Sequence, residues 1–218
     1  MIKGAIFDVD GTILDSMGIW DEAGIRYLKN KGISAPEDLG DTIFAMTITE
    51  AADYLRQEFE LRETEEEIIS GVLDTVKDYY YKEAPLKNGI REVLEALRDR
   101  EIPMAVASSS EKTHIEAAFK RLGILDYFQE IYTCTEVGEG KNSPLIFEKA
   151  CEKLGTQPED TYVFEDALYA IETAKAAGLR AVGIYDPYSA KEQEQIQKLA
   201  DIYVENWEKG SALWELLK

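Results

Sequence analysis

Short apolar strands alternate with helices through most of this 218-residue chain, and this alternation limits the folds that it can adopt. After residue 85, strands are predicted at 103–107, near 130–133, and at 161–164, 180–184 and 201–204. Helical patterns lie between them, including one near 189–199, and a last helix is predicted at 207–217. Strands that alternate with helices form a parallel sheet, because each connection must cross back over the sheet. The pattern therefore predicts an α/β fold with helices flanking a parallel sheet.

The segment that follows the first predicted strand breaks this alternation. Residues 2–7 form a compact apolar block, and helical patterns then occur at 16–31, 48–59 and 64–82 with no convincing strand between them. An interruption of this kind indicates an inserted domain. We therefore predict a Rossmann-like parallel sheet core at 1–15 and 83–218, and an all-helical cap domain at 16–82.

Chemically complementary side chains occur at the predicted carboxyl ends of the strands or at the start of the following helix. They are Asp8, Asp10, Ser108, Lys141, Glu165 and Asp166. These positions gather at one edge of a parallel sheet, which is where ligands of open α/β sheets bind. Carboxylates suit a hard divalent cation, and a hydroxyl and an ammonium suit phosphoryl oxygens. The remaining requirement for phosphoryl transfer is a nucleophile. A carboxylate such as that of Asp8 can supply it by forming an aspartyl phosphate.

Four motifs, in this order, resemble those of the haloacid dehalogenase superfamily of phosphatases and phosphomutases, in the branch with a helical cap after the first strand. The first is Asp8-Val9-Asp10-Gly11-Thr12, which matches fully. The others are Ser108 after the second core strand, Lys141 in Gly140-Lys141-Asn142-Ser143-Pro144, and the acidic pair Glu165-Asp166. The resemblance covers nearly the whole core, and the ordered set is far more specific than any one of its parts.

The resemblance implies a role for each of these residues. Asp8 would be the nucleophile, and Asp10 would protonate the leaving oxygen and then deprotonate the water that releases phosphate. Mg²⁺ would be held by Asp8, the Asp10 backbone carbonyl and Asp166, with the neighbouring Glu165 as a further candidate ligand. The Ser108 hydroxyl and the Lys141 ammonium group would bind the transferring phosphoryl group.

Two motifs depart from the usual pattern of the superfamily. Asn142 and Leu145 replace a proline and an aspartate of the third motif, and Ala167 and Ala170 replace a serine and a glycine of the fourth. None of these changes removes a charged catalytic group. The superfamily's dehalogenases lack an acid at the position of Asp10, so its presence favours phosphate esters as substrates.

Ordinary structural roles compete with the functional interpretation of several residues. The two aspartates of the first motif are also compatible with a turn and a helix cap. Ser108, or another serine of the 108–110 triplet, could cap the following helix. Lys141 could be solvated, as most lysines are. Glu165 could support Asp166 without contacting a metal.

Three functions are compatible with these residues. The first is a Mg²⁺-dependent phosphatase for a small phosphorylated metabolite, with a cap that closes over the site and selects the substrate. The second is a phosphomutase like the β-phosphoglucomutases, which carry a cap histidine where an ungapped alignment puts Trp20 here. The chain's one histidine, His114, lies in a helix predicted at 111–122, away from the strand ends. The third is a catalytically idle binding module, which would have no need of both Asp8 and Asp10.

The charge balance limits the partners of this chain. It has 43 acids against 24 bases and a net charge of −19, which argues against nucleic acid and anionic membranes because both select basic surfaces. A small phosphorylated metabolite remains compatible, since a metal ion and a few donors can dominate a small pocket. Cys134 and Cys151 lack metal-site spacing, and no stretch resembles a signal peptide or a transmembrane helix. We therefore expect a cytoplasmic protein with reduced cysteines, whose oligomeric state stays open.

Overall fold

Six parallel strands form one sheet in the described structure, a computed structural model that covers residues 2–36, 38–43, 46–207, 209 and 212–217. In chain order the strands are Gly4–Phe7 (β1), Met104–Ser108 (β2), Glu130–Thr133 (β3), Thr161–Glu165 (β4), Arg180–Ile184 (β5) and Ile202–Val204 (β6). Their order across the sheet is β3-β2-β1-β4-β5-β6, and every neighbouring pair is parallel. The sheet confirms the predicted α/β fold class.

The point where the strand order reverses lies between β1 and β4. After β1 the chain forms β2 and β3 on one side, and it then crosses to the other side to form β4, β5 and β6. Every residue of β1 is buried, as expected for a central strand that is covered on both faces. Ligands of open α/β sheets bind at the carboxyl ends of the strands beside such a reversal. The residues that follow Phe7 and Phe164 therefore occupy the expected position of a ligand site.

Between β1 and β2 the chain forms a separate helical unit. The chain divides into a core unit of Met1–Asp15 with Pro85–Lys218, and a cap unit of Ser16–Ala84. The cap helices are Ile19–Asn30 (α1), Leu39–Ile43 (α2), Ile48–Glu58 (α3) and Glu65–Lys82 (α4). No strand occurs among the described residues of this unit, which confirms an all-helical insert. The sequence pattern does not predict α2, because five residues are too few to show helical periodicity.

Helix caps and an apolar core of its own hold the cap unit together. Thr47 and Thr64 each accept a hydrogen bond from the backbone N–H three residues later, and Glu50 and Glu67 accept one from the threonine N–H groups. These capping boxes satisfy donors that the start of a helix otherwise leaves without partners. Buried side chains from all four helices pack together, namely Tyr27, Leu28, Leu39, Ile43, Ala52, Leu55 and Ile68.

Helices of the core unit connect the strands and cover the sheet. They are Ile90–Arg98 (α5), Lys112–Leu122 (α6), Cys134–Val137 (α7), Leu145–Leu154 (α8), Leu168–Ala176 (α9), Gln193–Leu199 (α10) and Ala212–Leu216 (α11). The helix predicted near 189–199 begins only at Gln193, because Pro187–Ser189 forms a short 3₁₀ turn that the Asp186 side chain caps. Of the helix predicted at 207–217, residues 208, 210 and 211 lie outside the described residues.

The two cysteines are free thiols in different surroundings. Cys134 is partly exposed, whereas Cys151 is buried in the apolar cluster that contains Ile6 and Phe147. Burial raises the pKa of the Cys151 thiol, so it remains neutral and packs as a small apolar side chain. Among the helices that the structure describes, none is both long enough and apolar enough to cross a membrane.

Candidate active site

The register between β1 and β4 brings three carboxylates together at the carboxyl edge of the sheet. Phe7 pairs with Phe164, and the Asp8 N–H donates to the Phe164 carbonyl oxygen at 2.9 Å. One oxygen from each of Asp8, Glu165 and Asp166 lies within 4.8 Å of the others, and all three residues are buried. The structure thus gathers three of the predicted site acids, which we call the carboxylate cluster.

Lys141 lies among these carboxylates with only 3% of its surface exposed. Its Nζ donates to Glu165 Oε2 at 2.7 Å, and it forms a second ion pair with Asp8 Oδ1. An ammonium group is buried only where such partners compensate the loss of water. The alternative of a solvated Lys141 is therefore wrong.

Both carboxylate oxygens of Glu165 have partners within the protein. Oε2 accepts from Lys141, and Oε1 accepts from the Ala167 N–H at 3.2 Å. Glu165 therefore orients the lysine and holds the turn that leads into α9. Its direct contact with a metal ion stays a prediction.

Burial and neighbouring charges shift the pKa values of Asp8, Asp166 and Lys141 in this cluster. Burial and the Glu165 carboxylate raise the pKa of Asp8 to about 8, although Lys141 opposes the shift. Burial, Glu165 and Asp8 likewise raise the pKa of Asp166 well above its ordinary value. Burial alone would lower the pKa of Lys141, but attraction from Asp8 and Glu165 outweighs it and raises that pKa. The protein therefore leaves an excess of negative charge around one ammonium group.

This excess of negative charge fits a hard divalent cation. Within the described part of the chain, the cluster offers carboxylate oxygens and no histidine or cysteine ligand. Oxygen donors of this kind suit Mg²⁺ and Ca²⁺ rather than zinc or copper. A cation held by Asp8 and Asp166 would offset the repulsion that adds to burial in raising both pKa values.

Gly11 and Thr12 position Asp166 from the loop after β1. Thr12 is fully buried, and its Oγ1 donates to Asp166 Oδ1 at 3.4 Å. Gly11 has a φ of +78°, and a Cβ at this position would lie 2.5 Å from Asp166 Oδ2. Any side chain here would displace the carboxylate, so both the backbone conformation and the close approach require glycine.

We expect the Gly11→Ala variant to lose at least about tenfold in Mg²⁺ affinity, because the new methyl group moves an Asp166 oxygen. Calorimetric titration of Mg²⁺ measures this loss. Gly32→Ala is the matched control: Gly32 has a φ of +76°, but nothing lies within 4 Å of its Cβ position. Both variants should lose about 1–2 kcal/mol of folding free energy from backbone strain. Equal Mg²⁺ affinities in the two variants would show that the Asp166 contact is unimportant.

The Asp10 side chain contacts the serine triplet at the end of β2. Ser110 Oγ donates to Asp10 Oδ2 at 2.5 Å, and the Ser110 N–H donates to Ser108 Oγ at 3.1 Å. The alternative that a serine of 108–110 caps the next helix is wrong, because Glu111 occupies the N-cap position and makes no capping bond through its side chain. Ser108 itself is fully buried as the last residue of its strand. Its contact with a phosphoryl group stays a prediction.

Asp186 is a further buried acid near the cluster, and it lies outside the four sequence motifs. After burial, Glu165 and Asp8, its charge is a smaller cause of the raised pKa of Asp166. Lys87 Nζ lies 2.7 Å from Asp186 Oδ2 and forms a largely buried ion pair with it. The signal that identifies Asp186 is its position just after β5, because the other site acids also follow strands.

Comparison with curated proteins gives relatives that align with most of this chain. It is similar to a phosphorylated carbohydrates phosphatase of Thermotoga maritima, with 28% identity over 181 residues that cover 83% of this chain and 84% of the relative. It is also similar to the fructose-1-phosphate phosphatase YqaB of Escherichia coli strain K12, with 33% identity over 190 residues that cover 83% of this chain and 95% of that protein.

Among solved structures, the chain is similar to a candidate beta-phosphoglucomutase of Thermotoga maritima. The TM-score is 0.82 at 26% identity, and the match covers 99% of this chain and 98% of the other. The sequence profile of haloacid dehalogenase-like hydrolases matches residues 2–178, a range that contains every predicted site residue. Together with the ordered motifs and the sheet topology, this match shows that the chain is an enzyme of the haloacid dehalogenase-like hydrolase family.

Proposed function

We propose that this hydrolase is a Mg²⁺-dependent phosphatase that releases phosphate from small phosphorylated sugars through an aspartyl phosphate. The observation that carries the proposal is the buried group of Asp8, Lys141, Glu165 and Asp166 beside Asp10. The names of the relatives support the substrate class, since they are phosphatases of phosphorylated carbohydrates and of fructose 1-phosphate.

In the first step, an Asp8 carboxylate oxygen attacks the phosphorus atom of the substrate. The ester bond between phosphorus and the sugar oxygen breaks as the new bond forms, and Asp10 gives its proton to the departing oxygen. Lys141 stays beside Asp8 as a fixed positive charge, so negative charge on the phosphoryl oxygens is stabilised without reorganisation of the site. The Ser108 hydroxyl donates to one of these oxygens.

In the second step, water attacks the phosphorus atom of the aspartyl phosphate. Asp10, now a carboxylate, accepts the water proton, and the bond between phosphorus and the Asp8 oxygen breaks. Inorganic phosphate leaves, Asp8 is again a carboxylate, and Asp10 is again protonated. One acid residue, Asp10, therefore serves both steps.

Asp8 and Asp166 would hold the metal ion together with the Asp10 backbone carbonyl, and Glu165 would contribute mainly through Lys141. When bound, Mg²⁺ neutralises charge on the phosphoryl oxygens. Glu165 is the least suited of the acids to direct coordination, because both of its oxygens already accept hydrogen bonds.

A screen for phosphate release tests this function. We expect turnover of hexose phosphates with Mg²⁺, and chelation should lower the rate at least about 100-fold, since a catalytic metal contributes several kcal/mol. Added Mg²⁺ should restore the rate and should also raise the melting temperature, because it binds only the folded site. Phosphate release that survives complete chelation would contradict the proposal.

A phosphomutase is the second candidate, favoured by the similarity to the candidate beta-phosphoglucomutase structure. The β-phosphoglucomutases carry a cap histidine, whereas His114, the one histidine of this chain, lies in α6 of the core unit. The deciding assay supplies a hexose 1-phosphate with a bisphosphate activator. Isomerisation much faster than phosphate release would replace the phosphatase assignment.

A further inference from the structure

We propose that Ser110 is the positioning residue of Asp10, and that its hydroxyl holds the Asp10 carboxylate in the orientation that proton transfer needs. The inference rests on the proposed function, in which Asp10 first gives and then takes a proton. It concerns a serine that belongs to none of the four motifs and that no sequence argument separates from its neighbours in the 108–110 triplet.

The geometry of the Ser110 hydroxyl carries this inference. Its Oγ lies 2.5 Å from Asp10 Oδ2, which is the short distance typical of a hydroxyl that donates to a carboxylate. The two residues are 100 positions apart in sequence, so only the parallel pairing of β1 with β2 brings them together. Ser110 does not cap the following helix, because Glu111 is the N-cap of α6.

The backbone on each side of this contact is fixed separately. The loop that carries Asp10 is closed by the Gly11 N–H, which donates to the Leu14 carbonyl at 3.0 Å. The loop that carries Ser110 is closed by its own N–H, which donates to Ser108 Oγ at 3.1 Å. Because both backbones are held by other bonds, the hydroxyl of Ser110 acts on the carboxylate group and not on the course of either loop.

An aspartate carboxylate needs such a partner in order to act reliably in proton transfer. The rotation of a carboxylate about its Cβ–Cγ bond is broad and has no sharp preference of its own. Proton transfer requires the acid within about 2.6–3.2 Å of the reacting oxygen. A donor that fixes Oδ2 of Asp10 restricts this rotation, so the same orientation serves the leaving oxygen in the first step and water in the second.

The contact also links proton transfer to phosphate binding. Ser108, the predicted phosphate ligand, accepts from the Ser110 N–H, so one short loop sets the positions of both groups. Substitution of Ser110 by alanine removes the hydroxyl but keeps this backbone bond. The variant therefore separates the orientation of Asp10 from the placement of Ser108.

The test compares Ser110→Ala, Ser110→Thr and the wild-type protein on two esters at saturating Mg²⁺. One is the sugar phosphate that the wild-type protein hydrolyses fastest, whose leaving group needs a proton. The other is p-nitrophenyl phosphate, whose leaving group departs without one. Ser109→Ala is the matched control, because Ser109 is exposed and its Oγ lies 3.5 Å from Cys134 Sγ instead.

For Ser110→Ala we expect kcat on the sugar phosphate to fall about 10- to 100-fold, with KM changed less than about threefold, because misplaced proton transfer costs rate and not binding. On p-nitrophenyl phosphate, the rate of the first turnover should stay within about threefold of wild type, because this leaving group needs no proton. The release of phosphate should then be slow, since the second step still needs Asp10. Ser110→Thr, which keeps the hydroxyl, should recover most of the lost rate, and Ser109→Ala should match the wild type.

Three outcomes would overturn the inference while leaving the phosphatase assignment intact. They are an unchanged kcat in Ser110→Ala, an equal loss in the first turnover of both esters, and a raised KM at constant kcat. A wild-type protein that hydrolyses neither ester would instead overturn the proposed function, and the inference with it. Circular dichroism and Mg²⁺ titration of each variant establish that the fold and the carboxylate cluster are intact.

Discussion

The Asp8→Asn variant is expected to release phosphate at least about 1,000-fold more slowly than the wild-type protein, a loss of about 4 kcal/mol in transition-state stabilisation. Asparagine has nearly the same shape as aspartate but cannot serve as the carboxylate nucleophile. The measurement is phosphate release from the best sugar phosphate at saturating Mg²⁺, with the variant purified in the same way as the wild type. Activity within about tenfold of wild type would exclude the proposed aspartyl phosphate.

Asp8→Asn should lose activity without losing folding stability. The pKa of Asp8 is raised from 3.8 to about 8, so the folded, metal-free protein disfavours the carboxylate form. An acid whose pKa is raised on folding makes the folded state less stable as the pH rises from the ordinary pKa of that acid toward its pKa in the folded protein. The neutral asparagine avoids this penalty. At pH 8 without metal, the variant should therefore melt no lower than the wild type, and a much lower melting temperature would attribute the lost activity to unfolding.

Asp15→Asn provides the matched control for this substitution. Asp15 lies in the same chain segment after β1, but its side chain is exposed, and it belongs neither to the carboxylate cluster nor to the serine triplet. The same chemical change there should leave both kcat and KM at wild-type values. A comparable loss in the control would mean that any charge removed from this segment impairs the enzyme.

The approach of Asp8, Glu165 and Asp166 to one another could be predicted because it depends on strand ends alone. In a parallel sheet all strands end at one edge, so an acid that follows one strand meets an acid that follows its neighbour. Asp8 and Glu165 illustrate this, since Phe7 and Phe164 before them are paired in register. The sequence also predicts which segment is helical and inserted. These inferences need periodicity and order along the chain, and no knowledge of distances.

What the sequence could not reveal depends on contacts between atoms far apart in the chain. The serine triplet contains three identical side chains, and only the structure shows that Ser110 contacts Asp10 while Ser108 is buried. The role of Gly11 is similar, because its absent Cβ matters only where Asp166 approaches it. The pairing of Asp186 with Lys87 spans 99 positions, and neither residue lies in a recognisable motif. Such contacts follow from packing and not from a local pattern.

Lys141→Met is the second substitution with a large expected effect. Methionine is similar in length but has no charge, so Asp8 and Glu165 would face each other in a buried site without the ammonium group between them. Breaking a buried ion pair by removing one partner costs about 3–5 kcal/mol. We expect the free energy of unfolding of the metal-free variant at pH 8 to fall by about 3 kcal/mol in urea titrations.

The activity of this variant should fall at least about 100-fold, which is the usual effect of removing one fixed group that stabilises developing charge. Lys3→Met is the matched control for both measurements. Lys3 pairs with Asp160 at 2.7 Å, the same distance as between Lys141 and Glu165, but its side chain is 63% exposed. Water screens an exposed pair of this kind, so neither activity nor stability of the control should change measurably.

The response of Lys141→Met to Mg²⁺ distinguishes two roles of Lys141: it compensates the charge of the carboxylate cluster, and it places a positive charge beside the Asp8 nucleophile. If the lysine compensates the carboxylate cluster, its loss leaves more uncompensated negative charge, and a divalent cation then relieves more repulsion than in the wild type. Saturating Mg²⁺ should therefore raise the melting temperature of Lys141→Met more than that of the wild type, while activity stays low because the positive charge beside the Asp8 nucleophile is still absent. Recovery of activity together with stability would mean that Lys141 serves only to balance charge, and an Mg²⁺ effect no larger than in the wild type would mean that it does not compensate the cluster at all.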